Sequence, residues 1–490
     1  MCIIVNSAAM PPFSPSVQSG NIATSSRMAS ASTSLAVLHL PVFQVDATAR
    51  RCENSRRRWR TSHARISLSS SSAADPSAFT IRSRRVILPK RLVAREMMMS
   101  MKCALTATPS ASGEDTLPQG ASEVDAAYMR MCVDLAREAI GKTSPNPIVG
   151  CVIVKDGRIV GRGFHPKAGE PHAEVFALRE AGPLAQGATA YVSLEPCNHH
   201  GRTPPCSQAL VKAKLKRVVV GVVDPNPQVG GKGIKTLRSA GIEVVVGVEE
   251  ALCWKTNEVF MHRMRTGQPF VTLRYSMSMD GGFLGNIGVS NVQGGLYSKL
   301  LQENDAVIIT DAAVYDDPII LSSEPNAKQP LRVILARSLD LPVESKVFDT
   351  SCAKTLVLAD QQACLENIQS KNVDGKSLED KLQARGVDVV MMKDLTLEHV
   401  LSVCYQRGAT SVLLDSRGPV FSGLENFLGQ QAVDELAAQK VVVQVAPVFL
   451  GENRTEPGFR MPHDDLLMLE SVSSHMVGQD VVIEGYFQQP

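Results

Sequence analysis

The sequence predicts an α/β protein: two consecutive α/β domains behind a long basic N-terminal tract. Three observations carry this. Short apolar runs bounded by turn residues alternate with helical patterns from about residue 124 onward, which is the pattern of sheets covered on both faces. The 490 residues exceed what one hydrophobic core normally organises. The alternation also restarts near Pro269, after an amphipathic stretch. The expected organisation is therefore a targeting and unstructured region over 1–113, a first domain over 124–248, a connecting helix over 249–268 and a second domain over 269–490. No internal repeat is found.

Residues 1–113 are rich in Ser and Ala and hold 15 basic residues, among them Arg56-Arg57-Arg58 and Arg84-Arg85. They hold only four acids, Asp46, Glu53, Asp75 and Glu96. A long, serine-heavy, acid-poor tract predicts a chloroplast transit peptide and hence a place in the plastid stroma. Because the whole chain has 51 basic and 49 acidic residues, the remainder holds 36 and 45, a net charge of −9. An acidic body predicts no nucleic-acid partner, and so argues against an RNA-editing protein. No run of 18 apolar residues occurs, so no membrane span is expected. The eleven cysteines lie singly, as free thiols do in a reducing compartment.

Around Asp125 a helical pattern begins, with Ala127, Met131, Leu135 and Ile140 on one face, ending near Gly141. Thr143-Ser144-Pro145-Asn146-Pro147 reads as a turn. Residues 149–154 and 158–164 read as strands joined at Lys155-Asp156-Gly157, a hairpin signal. Helices are expected over 173–181, 206–214 and 234–240, and strands over 189–194, 217–223 and 243–248. In the second domain strands are expected over 270–275, 306–310, 331–336, 355–358, 387–391, 411–415 and 441–445.

The chemistry concentrates between His172 and Cys206. His172-Ala173-Glu174 is followed by Pro196-Cys197, and then by Cys206. One imidazole and two thiols make three ligands for Zn2+, with the fourth position left for water, as in catalytic zinc sites. Cys206 opens a helix, and Cys197 follows a strand. Zinc so bound acidifies water, which can add to the C–NH2 carbon of an aminopyrimidine. Glu174, two residues from the histidine, would take the water proton, protonate the ring nitrogen and help ammonia leave. A His-x-Glu and Pro-Cys pair is the signature of zinc base deaminases, although those place two residues between the cysteines where this chain has eight. A purely structural zinc, with His199 or His200 as fourth ligand, would leave Glu174 without a role.

Gly169-Glu170-Pro171-His172-Ala173-Glu174 and the run from Leu194 to Cys206 closely resemble the deaminase domain of the bifunctional riboflavin-biosynthesis deaminase/reductase family. Pro145-Asn146-Pro147-Ile148-Val149-Gly150 and Asp224-Pro225-Asn226-Pro227 resemble the same family's two other deaminase signatures. The resemblance implies a cytidine-deaminase-like three-layer α/β/α domain followed by a dihydrofolate-reductase-like α/β domain. It also implies a small phosphorylated substrate, a diaminopyrimidinone carrying ribosylamino 5-phosphate. Asn146 and His165 are then expected at the pyrimidine and sugar, and His199, Arg202, Asp224 and Asn226 along the ribose phosphate. Arg202 and His199 also sit between two metal ligands, at the mouth of the site, where a guanidinium suits phosphate.

The second domain is similar to the family's NADPH-dependent reductase over 269–283, with Asp280-Gly281 and Asp316-Asp317-Pro318 matching. It departs elsewhere. Arg274 stands where the family usually has lysine, and Gly282 stands where it has a basic residue. Ile309-Thr310-Asp311-Ala312 replaces a glycine-containing turn, and Asp415-Ser416-Arg417-Gly418 a later one. Glycine turns let backbone N–H groups approach a pyrophosphate, and Asp311 adds a like charge beside one. The segment from Gly294 to Asp305 also looks short for a helix. No bound nicotinamide cofactor is therefore expected, and the apolar strands predict a fold kept as scaffold or as the interface of a homo-oligomer. The alternative is a bifunctional deaminase and NADPH-dependent reductase.

Overall fold

A computed structural model describes residues 117–488, apart from 200–203, 227–228, 285–287, 289–290, 338–339, 363, 365–376, 417–429 and 452–466. The tract expected as a transit peptide lies outside the described residues.

The first sheet has five strands: β1 (Gly150–Lys155), β2 (Arg158–Phe164), β3 (Thr189–Leu194), β4 (Arg217–Val222) and β5 (Glu243–Val246). Their order is β2-β1-β3-β4-β5. β1 runs antiparallel to both neighbours, and β3, β4 and β5 are parallel. The β1–β2 hairpin turns on Asp156 and Gly157, both at positive φ (49° and 74°), as a tight two-residue hairpin requires.

Alternate residues of β1 enter two cores. Cys151 and Ile153 pack with α2 (Ala173–Ala181), α3 (Cys206–Lys212) and α4 (Lys232–Ser239). Val152 and Val154 pack with α1 (Glu123–Arg137). Cys253 of α5 (Glu250–Thr256) and Met261 of α6 (Glu258–Thr266) complete that second face. The domain is thus a three-layer α/β/α sandwich, with strands buried on both faces.

Two expectations need correction. The stripe of α1 that faces the sheet is Ala126, Met129, Cys132, Val133 and Ala136, while Ala127 is exposed. Both stripes are apolar, and the one rich in small side chains lets the helix settle closer to the strands. The helix also ends at Arg137 rather than near Gly141. Secondly, the connecting helix is two helices, broken at Asn257 (φ −113°, ψ 21°). Asn257 is buried, and its Oδ1 accepts the Ile148 N–H at 2.9 Å, so its side chain serves the first domain.

The second sheet has the order β11-β10-β9-β8-β12-β6-β13-β15-β14. Its strands are β6 (Phe270–Ser278), β7 (Phe283–Leu284, which among the described residues pairs with β6), β8 (Ala306–Thr310) and β9 (Leu331–Ala336). The others are β10 (Thr355–Asp360), β11 (Asp388–Met392), β12 (Ser411–Asp415), β13 (Lys440–Ala446), β14 (Leu469–Val477) and β15 (Asp480–Phe487). Seven are parallel, from β11 to β13. β15 and β14 add an antiparallel edge. Cores cover both faces. A helix, α7 (Leu296–Glu303), does form in the segment that looked too short. The two C-terminal strands were not foreseen, because β14 is exposed along nearly its whole length and shows no alternation.

Candidate metal centre

His172 is the residue before α2, in extended backbone (φ −75°, ψ 165°), and Glu174 lies in the first helical turn. The helix can lie directly on β2 because Gly161 and Gly163 face it. A Cβ at either position would collide with the carbonyl of Ala177 or Ala173. Cys197 follows β3, and Cys206 begins α3. The backbone N–H of Cys206 donates to Cys197 Sγ at 3.4 Å, and Ser207 N–H to the Cys197 carbonyl at 3.1 Å. Asn198 ties the loop down, its Oδ1 accepting from Ser207 Oγ (2.7 Å) and Thr236 Oγ1 (3.1 Å).

These elements converge three ligand atoms. His172 Nδ1 lies 3.6 Å from Cys197 Sγ and 3.4 Å from Cys206 Sγ, and all three atoms fall within 4.8 Å of one another. Neighbouring N and S ligands of a tetrahedral zinc at its usual bond lengths lie about 3.6 Å apart, so the donor set fits that ion. Among the described residues the cluster has three members. His199 is exposed and outside it.

The electrostatics fit a cation as well. The Cys206 thiol donates to Cys197, which with His172 outweighs burial and holds Cys197 well below its ordinary value. Cys206 is pushed up by that hydrogen bond and by its own burial. Two adjacent thiolates need a positive charge between them. Burial, and then the charge of Cys197, raise Glu174 to about 7. Its Oε2 is buried and has no hydrogen-bond partner among the described residues.

Two expected substrate residues meet beside the cluster. Asn146 Nδ2 lies 3.2 Å from His165 Nε2, and His165 Nδ1 lies 3.0 Å from the Pro171 carbonyl. The carbonyl can only accept, so Nδ1 carries the proton and Nε2 accepts from the Asn146 amide. The His165 ring stands edge-on to His172, with centroids 5.3 Å apart. Asp224 and Asn226 form a turn in which Asp224 Oδ1 accepts the Asn226 N–H at 2.9 Å. Burial raises the Asp224 carboxyl, and the charge of His199 partly offsets this. Arg202 lies outside the described residues.

Glu195 had no assigned role in the sequence. It is buried, and its carboxylate accepts four backbone N–H groups: Gly233 (2.9 Å), Ile234 (3.2 Å), Gly231 (2.8 Å) and Asp224 (3.3 Å). It joins the metal strand to the Asp224 turn and to the start of α4. An acid two residues before Cys197, in Leu194-Glu195-Pro196-Cys197, was the available signal.

In the second domain Arg274 is buried in an ion pair with Asp415 at 2.9 Å. Its guanidinium also donates to Ser276 Oγ (2.7 Å) and Gln444 Oε1 (3.0 Å), and Tyr297 O–H donates to Asp415 at 2.7 Å. The Asp311 carboxylate accepts the N–H groups of Ala312 (2.9 Å) and Arg337 (3.1 Å).

Comparison with known proteins places this geometry. The zinc-binding region of cytidine and deoxycytidylate deaminases matches residues 122–222, and the RibD C-terminal domain matches residues 269–483. The riboflavin biosynthesis protein PYRD, chloroplastic, of Arabidopsis thaliana is 46% identical over 370 residues, 74% of this chain and 83% of that protein. The chain belongs to the RibD family of riboflavin biosynthesis. RibD of Acinetobacter baumannii superposes with a TM-score of 0.62 at 35% identity, covering 75% of this chain and 99% of that one. A Thermotoga maritima structure described as a diaminohydroxyphosphoribosylaminopyrimidine deaminase and 5-amino-6-(5-phosphoribosylamino)uracil reductase gives 0.62 at 28% identity, with 75% and 99% coverage. This RibD-family chain is accordingly a hydrolytic deaminase with a zinc-binding cytidine-deaminase-type domain and a reductase-like second domain. Like its plant relative, it is a chloroplast protein.

Proposed function

We propose that this RibD-family protein hydrolytically deaminates diaminohydroxyphosphoribosylaminopyrimidine to 5-amino-6-(5-phosphoribosylamino)uracil, with His172, Cys197 and Cys206 holding zinc and Glu174 carrying the protons. The observation behind this is the buried Glu174 Oε2, without a hydrogen-bond partner among the described residues, beside a His172–Cys197–Cys206 cluster that could hold a metal ion. When bound, zinc supplies Lewis acidity that lowers the pKa of water toward neutrality. Glu174, a buried carboxyl beside the cluster whose burial pushes its pKa up, is placed to act as a general acid/base. Its Oε2 accepts the water proton, delivers it to the ring nitrogen, and assists ammonia as the C–N bond breaks. Asn146 donates to His165, which leaves the amide oxygen as an acceptor for the pyrimidine. His199, and Arg202 by its place in the sequence between two of the proposed metal ligands, suit the phosphate, and the Asp224–Asn226 turn suits the ribose hydroxyls. Zinc-loaded Glu174→Gln is expected to retain metal and lose about 10²–10⁴-fold in kcat. Ammonia release at the wild-type rate by that variant would remove the assigned role.

A second reading, a working NADPH-dependent reductase, has the match over 269–483 in its favour. Against it, Arg274 is committed to Asp415, Ser276 and Gln444, and Asp311, immediately after β8, has its carboxylate occupied by the N–H groups of Ala312 and Arg337. Adding NADPH to the deaminated product decides between them: no oxidation at 340 nm is expected. The small-molecule substrate is joined by one macromolecular partner, a second copy of the chain. The exposed edge strand β14, with Val472 and Met476 outward, is the surface we assign to it. Sedimentation of Val472→Lys against wild type reads this directly, and an unchanged mass would refute the assignment.

A further inference from the structure

The turn carrying Asn146 is held from the other domain. Ser144 Oγ donates to Asp305 Oδ2 at 2.6 Å and lies 3.1 Å from Thr410 Oγ1. Arg263 of α6 donates to the Pro145 carbonyl at 3.2 Å. Just before the turn, Gly141 (φ 73°) lies so close to the Gln302 carbonyl of α7 that any Cβ there would collide with it. Within the turn, the Asn146 N–H donates to the Thr143 carbonyl (2.8 Å) and Thr143 Oγ1 to the Asn146 carbonyl (3.0 Å).

Asp305 is a rigid anchor. It immediately precedes β8, its N–H bonds the Ser411 carbonyl at the start of β12, and its carbonyl accepts from Leu331 at the start of β9. Its carboxylate accepts from Thr410 N–H (2.9 Å), Thr410 Oγ1 (2.7 Å) and Lys328 Nζ (2.9 Å) besides Ser144. Three of the four donors belong to the second domain. Loss of the Ser144 hydroxyl therefore leaves Asp305 bound and the second sheet intact, and the effect falls on the turn. From the turn the connection runs through Asn146 to His165 and the carbonyl next to His172. The contact is made at the N-terminal ends of the parallel strands, away from the carboxyl ends where open α/β sheets bind ligands.

We propose that Asp305 is a positioning residue for deamination. Through Ser144 it holds the turn that presents Asn146 to the substrate, so the second domain completes the first domain's binding site without reacting itself. This rests on the deaminase reading above. In the full-length, zinc-loaded protein, Ser144→Ala is expected to raise KM about tenfold, the scale of one charge-assisted hydrogen bond, with kcat and melting temperature nearly unchanged. Ser144→Thr, which keeps the hydroxyl, restores KM. Asp305→Asn raises KM in the same direction and adds little to Ser144→Ala. In an Asn146→Ala background, Ser144→Ala has no further effect.

An unchanged KM in Ser144→Ala, or independent multiplication of the Ser144→Ala and Asn146→Ala effects, overturns the proposal. So does a fall in melting temperature with no change in KM. A readout that needs no turnover separates this from failure of the deaminase reading. Imidazole ¹⁵N resonances of His165 report the Asn146 bond directly, and they should move in Ser144→Ala and return in Ser144→Thr. Absence of ammonia release by the wild type sinks the deaminase reading, while static His165 resonances sink the positioning role.

Discussion

Arg274 and Asp415, 141 residues apart, form an ion pair at 2.9 Å with both side chains essentially sealed from solvent. The pair sits at matched register on neighbouring parallel strands, β6 and β12. It fills the place with mutually satisfied charge, and the sheet depends on both partners. Asp415→Ala leaves a guanidinium buried without its counter-charge, so a loss of about 3–5 kcal/mol is expected. Urea unfolding monitored by far-UV circular dichroism measures it. A midpoint equal to wild type would mean that the pair is not structural.

The proposed metal ligands make a second prediction. Bringing two thiols together, with Cys197 held low and Cys206 pushed up, stores a conflict that a cation resolves. Stripping with a strong chelator is expected to abolish ammonia release. It should also lower the melting temperature by about 15 °C, the scale of losing a ligand present at 1,000 times its Kd from a domain of this size. Added zinc restores both. Calorimetry with metal analysis reads the outcome, and unchanged melting after complete metal removal would contradict the ligand assignment.

Asp125 predicts a pH dependence. Burial pushes its carboxyl up, but donation from Arg217 (2.6 Å), Tyr191 (2.8 Å) and Ser122 (2.8 Å) outweighs it and holds the group below its ordinary value. A depressed carboxyl contributes stability above its unfolded pKa and loses it as pH falls through the folded one. Stability attributable to Asp125 is therefore full at neutral pH and disappears in acid, below about pH 4. Asp125→Asn is expected to be less stable at pH 7 by about 1.5–3 kcal/mol and to lose less on acidification. Parallel slopes for the two proteins below pH 4 would refute this.

His165 makes the last prediction. It is 2% exposed, and burial lowers its pKa first of all, so near neutral pH it stays uncharged and accepts from Asn146. Removing the ring in His165→Ala frees the Asn146 amide. A fall in kcat/KM of about tenfold to a hundredfold is expected, that of one or two lost hydrogen bonds, with zinc content unchanged. Steady-state kinetics with metal analysis tests this; loss of zinc instead would make the residue a support for His172 alone.

The regular elements were legible where local signals were strong. The spans of α2, β3, β8, β9 and β12 read directly from the sequence, because apolar runs between turn residues leave few alternatives. Elements whose environment is not local were not. The buried face of α1 is chosen by which stripe fits the sheet, and the break at Asn257 is set by Ile148, 109 residues earlier. β14 is an exposed edge with no alternating pattern, and its position follows from pairing with β15.

By itself, the sequence determined the chemistry on offer. It supplied one imidazole, two thiols and a carboxylate at spacings that place each at the end of a strand or the start of a helix, and the family those spacings resemble. The tertiary structure decided which distant groups meet them. Glu195 gathers four N–H groups from 29 to 39 residues away, and Asp305 reaches Ser144 across 161 residues. Ligand type and spacing are local properties of the chain. A hydrogen-bond partner across a domain boundary is set only when packing brings two surfaces within 3 Å, and no local pattern encodes that.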